Sequence, residues 1–187
     1  MRLPFVYARN AQLYAMVGSL IVFAIIARWY LVPKLRQMSA FNAITALLWV
    51  HVPRYVTLIL FSAQHEGYPI SNQAALEAVV GDVAGAVLAL LAIAVLPRLP
   101  RLGYWLSWAL VLETAVDIVV GIIRKAHEPL WGKASGVTWL ILDVYIPFIL
   151  ICLPLLVWQL FQGRERFQNH GALSRNSDKP GNKRLPQ

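Results

Sequence analysis

Cysteine is almost absent from this chain, with one residue, Cys152, among 187. A single thiol inside an apolar run cannot close an intrachain disulfide, so no disulfide framework holds the fold and no redox compartment can be read from it. Charge is scarce as well: 14% of the residues are charged and 58% are hydrophobic. A water-soluble domain of this size needs polar surface around its core, a requirement that lipid removes by acting as the apolar solvent. The mean hydropathy of +0.57 has the same meaning. Also missing are a P-loop, a G-x-S-x-G elbow, a dinucleotide fingerprint and an H-E-x-x-H zinc motif. An enzyme of familiar intramembrane type is therefore disfavoured.

Acidic residues are few, 9 against 17 Lys and Arg, and the resulting charge of +8 has to be located before it is interpreted. The basic residues lie between and after the apolar runs. Six of them, Arg164, Arg166, Arg175, Lys179, Lys183 and Arg184, fall in the last stretch among Asn, Ser, Pro and Gly. That composition reads as a disordered cytoplasmic tail over 164–187, following a transmembrane domain over 1–163. Nothing further supports a nucleic-acid partner.

A hydrocarbon core of roughly 30 Å needs about 20 apolar residues of helix. Five windows have that length: Ala11 to Val32, Ala40 to Phe61, Ala74 to Leu96, Gly103 to Ile123 and Val137 to Phe161. The expected fold is all-α, an integral membrane bundle of five transmembrane helices. The punctuation agrees, with Pro33 after the first window, Ser71 and Asn72 able to cap the third, Pro97 and Pro100 behind it, and Gly132, Ser135 and Gly136 before the fifth. Trp29, Tyr30, Tyr104, Trp105, Trp131 and Trp158 crowd the window ends, where amphipathic rings favour the headgroup layer. Arg2 and Arg9 before the first window resemble the start of a signal peptide, but the run is too long and lacks a small-x-small cleavage site, so it reads as an uncleaved helix.

Lys and Arg counted on alternate sides set the orientation. Lys34, Arg36, Arg98, Arg101 and the six of the tail share one side, against Arg2, Arg9, Arg124, Lys125 and Lys133 on the other. The richer side is cytoplasmic, which places the amino terminus outside and the carboxyl terminus inside.

Ionisable groups at membrane depth carry an insertion penalty of about 2.5 to 3.5 kcal/mol each, so they face the bundle interior and find partners. The candidate site residues are His51, Arg54 and Tyr55 in the second helix, Asp82 in the third, Glu113 and Asp117 in the fourth, and Asp143 in the fifth. Counted from the window centres, Arg54, Asp82, Asp117 and Asp143 all lie toward the outer side. Residues three or four apart share a helix face, which pairs Glu113 with Asp117 and groups His51 with Arg54 and Tyr55. Two carboxylates that close require a cation between them or a proton on one of them. Arg54 is the basic residue at compatible depth, and its fork of donors can join several carboxylates, so Arg54 with Asp82 and Asp117 is the expected pairing.

Pro53 leaves the carbonyl of Trp49 without its helical donor and bends the second helix, and Pro147 does the same to the carbonyl of Asp143. Gly81, Gly85, Ala89 and Ala92 form a small-residue face on the third helix, read as an internal packing face ahead of a homo-oligomer contact. His65 with Glu66 and His127 with Glu128 carry metal-competent groups in outer loops, but adjacent residues seldom share one ion. No metal or cofactor is called for, and haem is disfavoured because His51 is the one histidine within a window.

The stretches Arg54-Tyr-Val-Thr-Leu-Ile-Leu-Phe-Ser-Ala-Gln64 and Gly81-Asp-Val-Ala-Gly-Ala-Val-Leu-Ala-Leu-Leu91 resemble small bacterial inner-membrane proteins of no assigned function. The resemblance covers the second and third helices and implies an inner-membrane location without an activity. The five-helix count is shared with the translocator-protein family, whose proline- and tryptophan-rich segments have no counterpart here.

Two functional expectations compete. In one, the buried charges form an ion-paired network that fixes helix register in a membrane scaffold or complex subunit. In the other, they line a pocket for a small molecule, ion or proton open to the extracytoplasmic side. A proton-transfer site built on His51, Glu113 and Asp117 also stays open. The bilayer is the expected partner in every case, with a protein partner or a second copy undecided.

Overall fold

The computed structural model describes residues 5–125, 130, 132–134 and 136–177. The chain is all-helical among these residues, and five helices are long and apolar enough to cross a membrane: α1 (Asn10–Gln37), α2 (Ala40–His65), α3 (Asn72–Val95), α4 (Pro100–Gly121) and α5 (Gly136–Gly163).

Helix starts follow the local chemistry. Ser39 accepts the Asn42 N–H at 3.2 Å and caps α2, and Ser71 accepts the Ala74 N–H at 3.2 Å and caps α3. Each satisfies a backbone donor that the first turn leaves over. Between these helices Gly67, at φ +97°, takes the left-handed conformation that lets the chain leave α2. Gln64 then ties the loop down by donating to the Ile70 carbonyl and the Asn72 side chain, each at 2.8 Å. The turn from α3 to α4 is tight enough that a Cβ on Gly103 would lie 2.6 Å from the Leu96 backbone.

Three prolines coincide with departures from α-helical geometry. Val32, just before Pro33, bonds back five residues to the Ala27 carbonyl, and Ile146, just before Pro147, bonds back five residues to the Ile141 carbonyl. These are π-turns over Ala27–Leu31 and Ile141–Tyr145, widened ahead of rings that would clash with a regular turn. Around Pro53 the helix tightens instead, into a 3₁₀ stretch over Val52–Leu58. The expectation that Trp49 would own the orphaned carbonyl is corrected by that tightening. In a three-residue register the carbonyl facing the proline nitrogen belongs to Val50, and the Tyr145 hydroxyl of α5 donates to it at 3.1 Å.

α3 lies centrally, packed on α4 and α2, while α5 packs on α2 and α4. α1 packs chiefly on α5, with Leu35 near its end entering the main core, and only 6% of its apolar window is buried, so most of it lies at the periphery. The main apolar core joins Leu47 and Leu48 of α2, Ala89 and Ala92 of α3, Leu110 of α4, and Cys152, Leu156 and Leu160 of α5. All belong to the half of the bundle next to Arg36, whose guanidinium stacks 5.7 Å from the ring centre of Trp158. The helix that holds α5 runs on to Ser177, past residue 163 where a disordered tail was expected, through Arg, Glu, Gln and Leu, which are good helix formers. Residues 178–187 lie outside the described set.

Candidate functional site

Arg54 is among the largest fully enclosed side chains of the protein, at 2% exposure. It sits in the 3₁₀ stretch of α2, and its backbone carbonyl is held by the Thr57 hydroxyl at 2.8 Å. Its Nε donates to Asp82 Oδ1 at 2.8 Å. Nη1 donates to Glu113 Oε2 at 2.9 Å and to Thr114 Oγ1 at 2.7 Å, and Nη2 to Asp117 Oδ2 at 3.3 Å and Glu113 Oε1 at 3.5 Å. A guanidinium carries five N–H bonds, and five acceptors on α3 and α4 receive them. One side chain thus ties three helices together.

Two glycines make that reach possible. A Cβ on Gly85 would collide with Arg54 Nη1, lie 2.6 Å from its Cζ and stand 2.8 Å from Glu113 Oε2. A Cβ on Gly81 would lie 2.5 Å from Asp117 Oδ1. The small-residue face of α3 is internal as expected, but its Gly81–Gly85 half clears a path for charged groups. Ala89 and Ala92, both at 0% exposure, do the apolar packing further along.

The expected pair of Arg54 with Asp82 and Asp117 is present, and Glu113 joins it directly. Thr114, which the sequence reading missed, accepts from Arg54 and donates to Glu113 at 3.2 Å. Its signal was a hydroxyl next to a carboxylate at membrane depth. Tyr55 does not join the cluster and is 53% exposed. The cause is the helix register: residues three apart align in a 3₁₀ turn, so Arg54 stays in line with His51 while Tyr55 is turned away.

His51 is fully buried beside Arg54, yet among the described residues neither ring nitrogen has a hydrogen-bond partner. Asp143 is also fully buried and lies apart from the cluster, in the π-turn of α5. Its polar neighbours are the Gln12 amide of α1 and the Tyr68 phenol of the loop between α2 and α3. Gln12, another residue missed in the sequence, accepts the Gly132 N–H at 2.6 Å. Burial, followed by the charge of Asp143, raises the Tyr68 phenol above its ordinary pKa.

The clamp is closed around Arg54 and more open behind its acids. Side-chain exposure rises from 2% at Arg54 to 19% at Asp82 and Glu113 and 31% at Asp117. Asp117 stands on a groove of about 320 Å³ between α3 and α4, lined also by Ala74, Glu77, Ala78, Val80 and Gly121. Among the described residues no group of three or more His, Cys, Asp or Glu is arranged to hold a metal ion. His65 and Glu66 fall at the end of α2, and His127 and Glu128 lie outside the described residues.

No curated protein and no solved structure matches the chain. The family model for a domain of unknown function, DUF8737, matches residues 11–161, a stretch that includes Gln12, the whole Arg54 clamp and Asp143. The chain belongs to the DUF8737 family.

Proposed function

We propose that this is a multi-pass protein of the bacterial inner membrane, with its amino terminus outside and its carboxyl terminus in the cytoplasm. In this reading it acts as a membrane scaffold or complex subunit whose Arg54 clamp fixes how α2, α3 and α4 pack. The observation that carries it is the full use of the guanidinium, whose five N–H bonds meet acceptors of the same chain. A cation so occupied offers no donor to an anionic ligand. Five apolar helices support the membrane location, and the distribution of Lys and Arg supports the orientation.

A second reading, a pocket for a small molecule or ion open to the outer side, draws on the groove beside Asp117. Complementation separates the two. The double variant Arg54→Leu with Asp82→Asn removes one pair together and recovers part of the lost stability. A scaffold keeps its biological role in that variant, and a pocket that needs Arg54 loses it. Topology has its own check: a cysteine at Asn72 should react with an impermeant reagent from outside, and labelling only after the membrane is broken would reverse the orientation.

A further inference from the structure

Between Asn10 and Ile26 the one buried residue of α1 is a glutamine. Gln12 is 5% exposed, while Leu13, Tyr14, Val17, Ile21 and Val22 along the same stretch all stand exposed. Lipid tails are as apolar as those side chains, so burial of apolar surface does not favour α5 over the bilayer here. The hold on this half of the helix falls to what Gln12 touches and to the ring contact of Phe23 with Phe148 further along, at 5.3 Å.

Gln12 Oε1 accepts the Gly132 N–H at 2.6 Å, and its amide faces the carboxyl of Asp143 in the π-turn of α5. Asp143 is at 0% exposure, and among the described residues its oxygens have no other hydrogen-bond partner and no Lys, Arg or His pairs with it. Asp82, Glu113 and Asp117 share a guanidinium, whereas Asp143 has a single neutral amide. The titratable groups of the neighbouring segments supply no cation. Tyr68 stands beside the carboxyl with its phenol held in the neutral form, and Tyr145 commits its hydroxyl to the Val50 carbonyl. His65 and Glu66 at the end of α2 and Lys133 ahead of α5 are exposed and do not pair with it. A charge buried without a partner is in practice neutralised by gain or loss of a proton.

We propose that Asp143 is a proton-binding site whose occupancy decides whether the amino-terminal half of α1 docks on α5. With the proton in place the carboxyl has a donor of its own, for which the Gln12 oxygen keeps a second lone pair, and Gln12 stays buried. When water takes the proton, the bonding pair stays on the carboxylate, and the new charge needs hydration that the closed seam does not give. This half of α1 then leaves α5, while Leu35 in the main core keeps the other end in place. The docked state holds the proton more tightly than the open one, so acid closes the seam and alkali opens it. The site shares no residue with the Arg54 clamp and stands whether or not the scaffold reading holds.

The test places nitroxide labels at Leu13→Cys and Leu140→Cys, both lipid-facing positions, in the full chain with Cys152→Ala. The distance between them is read in lipid vesicles over a pH series, with both faces at the same pH so that the result does not depend on orientation. The ratio of short to long distances should fall with rising pH by up to about tenfold per pH unit, the slope for release of one proton. Asp143→Asn, a neutral mimic of the protonated group, should hold the short distance throughout. A distance that is constant across the series, or a pH dependence that survives Asp143→Asn, would overturn the proposal. Infrared spectra give a direct reading of the proton: a protonated-carboxyl stretch at the acid end that is missing from Asp143→Asn supports it, and no such difference sinks it. If Asp143→Asn does not insert, Gln12→Leu takes its place and should show the long distance at every pH; a short distance that still responds to pH would count against the coupling.

Discussion

In the half of the bundle that holds Arg36 and Trp158, α2, α3, α4 and α5 meet through Leu47, Leu48, Ala92, Leu110 and Leu156, none more than 1% exposed. In the other half, α2, α3 and α4 meet through one guanidinium, three carboxylates and a hydroxyl. The two halves do different jobs. Leucines packed on alanines tolerate small rotations and slides, and within a bilayer the lipid tails compete for the same contacts. A guanidinium with every donor committed accepts only one arrangement of its neighbours. The apolar half supplies close packing, and the polar half selects a register.

The largest test of that division is removal of the cation. Arg54→Leu leaves Asp82, Glu113 and Asp117 without their shared donor, a loss of about 3 to 5 kcal/mol for a broken buried pair. It should appear as a clear drop in melting temperature in detergent. Arg54→Leu combined with Asp82→Asn should recover part of the drop, because contacting residues couple in a double-mutant cycle. Purely additive losses would show that the 2.8 Å bond between them does not set the packing.

In the apolar half, Leu48→Ala opens a cavity beside Leu47 and Ile44. Its expected effect is about 2 kcal/mol, the low end for such truncations, since the removed leucine could equally face lipid in the separated state. Combined with Arg54→Leu the losses should add within about 0.5 kcal/mol, as for sites that share no partner. Strong coupling between the two would mean that the halves are not independent.

The boundary between the halves runs along α3, where Gly85 gives way to Ala89. Gly85→Ala should destabilise the protein by about 1 to 2 kcal/mol, because the new methyl group overlaps the guanidinium. The same substitution made in an Arg54→Leu background should change sign, since alanine is a better helix former than glycine by about 1 kcal/mol. Melting curves of the four proteins decide it. A loss of equal size in both backgrounds would assign Gly85 to helix contact alone.

Much of this division was legible before any coordinates. Length and hydropathy located the five helices, Ser71 marked the start of α3, and the depth of Arg54, Asp82 and Asp117 predicted their meeting. Two of the failures share one physical source. A helical wheel assumes 3.6 residues per turn, and α2 abandons that period for seven residues around Pro53. Tyr55 therefore left the predicted face, and the orphaned carbonyl moved from Trp49 to Val50. Gln12 and Asp143 could not be paired from sequence because α1 carries no pattern that says where it docks, and only the fold brings its polar end to α5. Thr114 was overlooked because a threonine in a helix usually bonds to its own backbone.

The smallest predicted effect lies where the altered period meets α5. Tyr145→Phe keeps the ring and deletes the one hydroxyl that serves the Val50 carbonyl, so the protein should lose about 1 kcal/mol, the net worth of a typical hydrogen bond. The loss should be local, because the residues on either side still pack. Hydrogen exchange should therefore speed up over Val52–Leu58, the 3₁₀ stretch that carries Arg54, and stay unchanged at Leu47 and Leu48 in the apolar half. The reason is leverage: the carbonyl freed by Pro53 is the fixed end of that stretch, and without its cross-helix donor the backbone beneath Arg54 relaxes while the leucine contacts do not. Uniform acceleration along α2 would show that the helix moves as one body and that the two halves are not separately anchored. Unchanged exchange everywhere would show that the clamp alone holds the 3₁₀ turn, with Tyr145 a bystander.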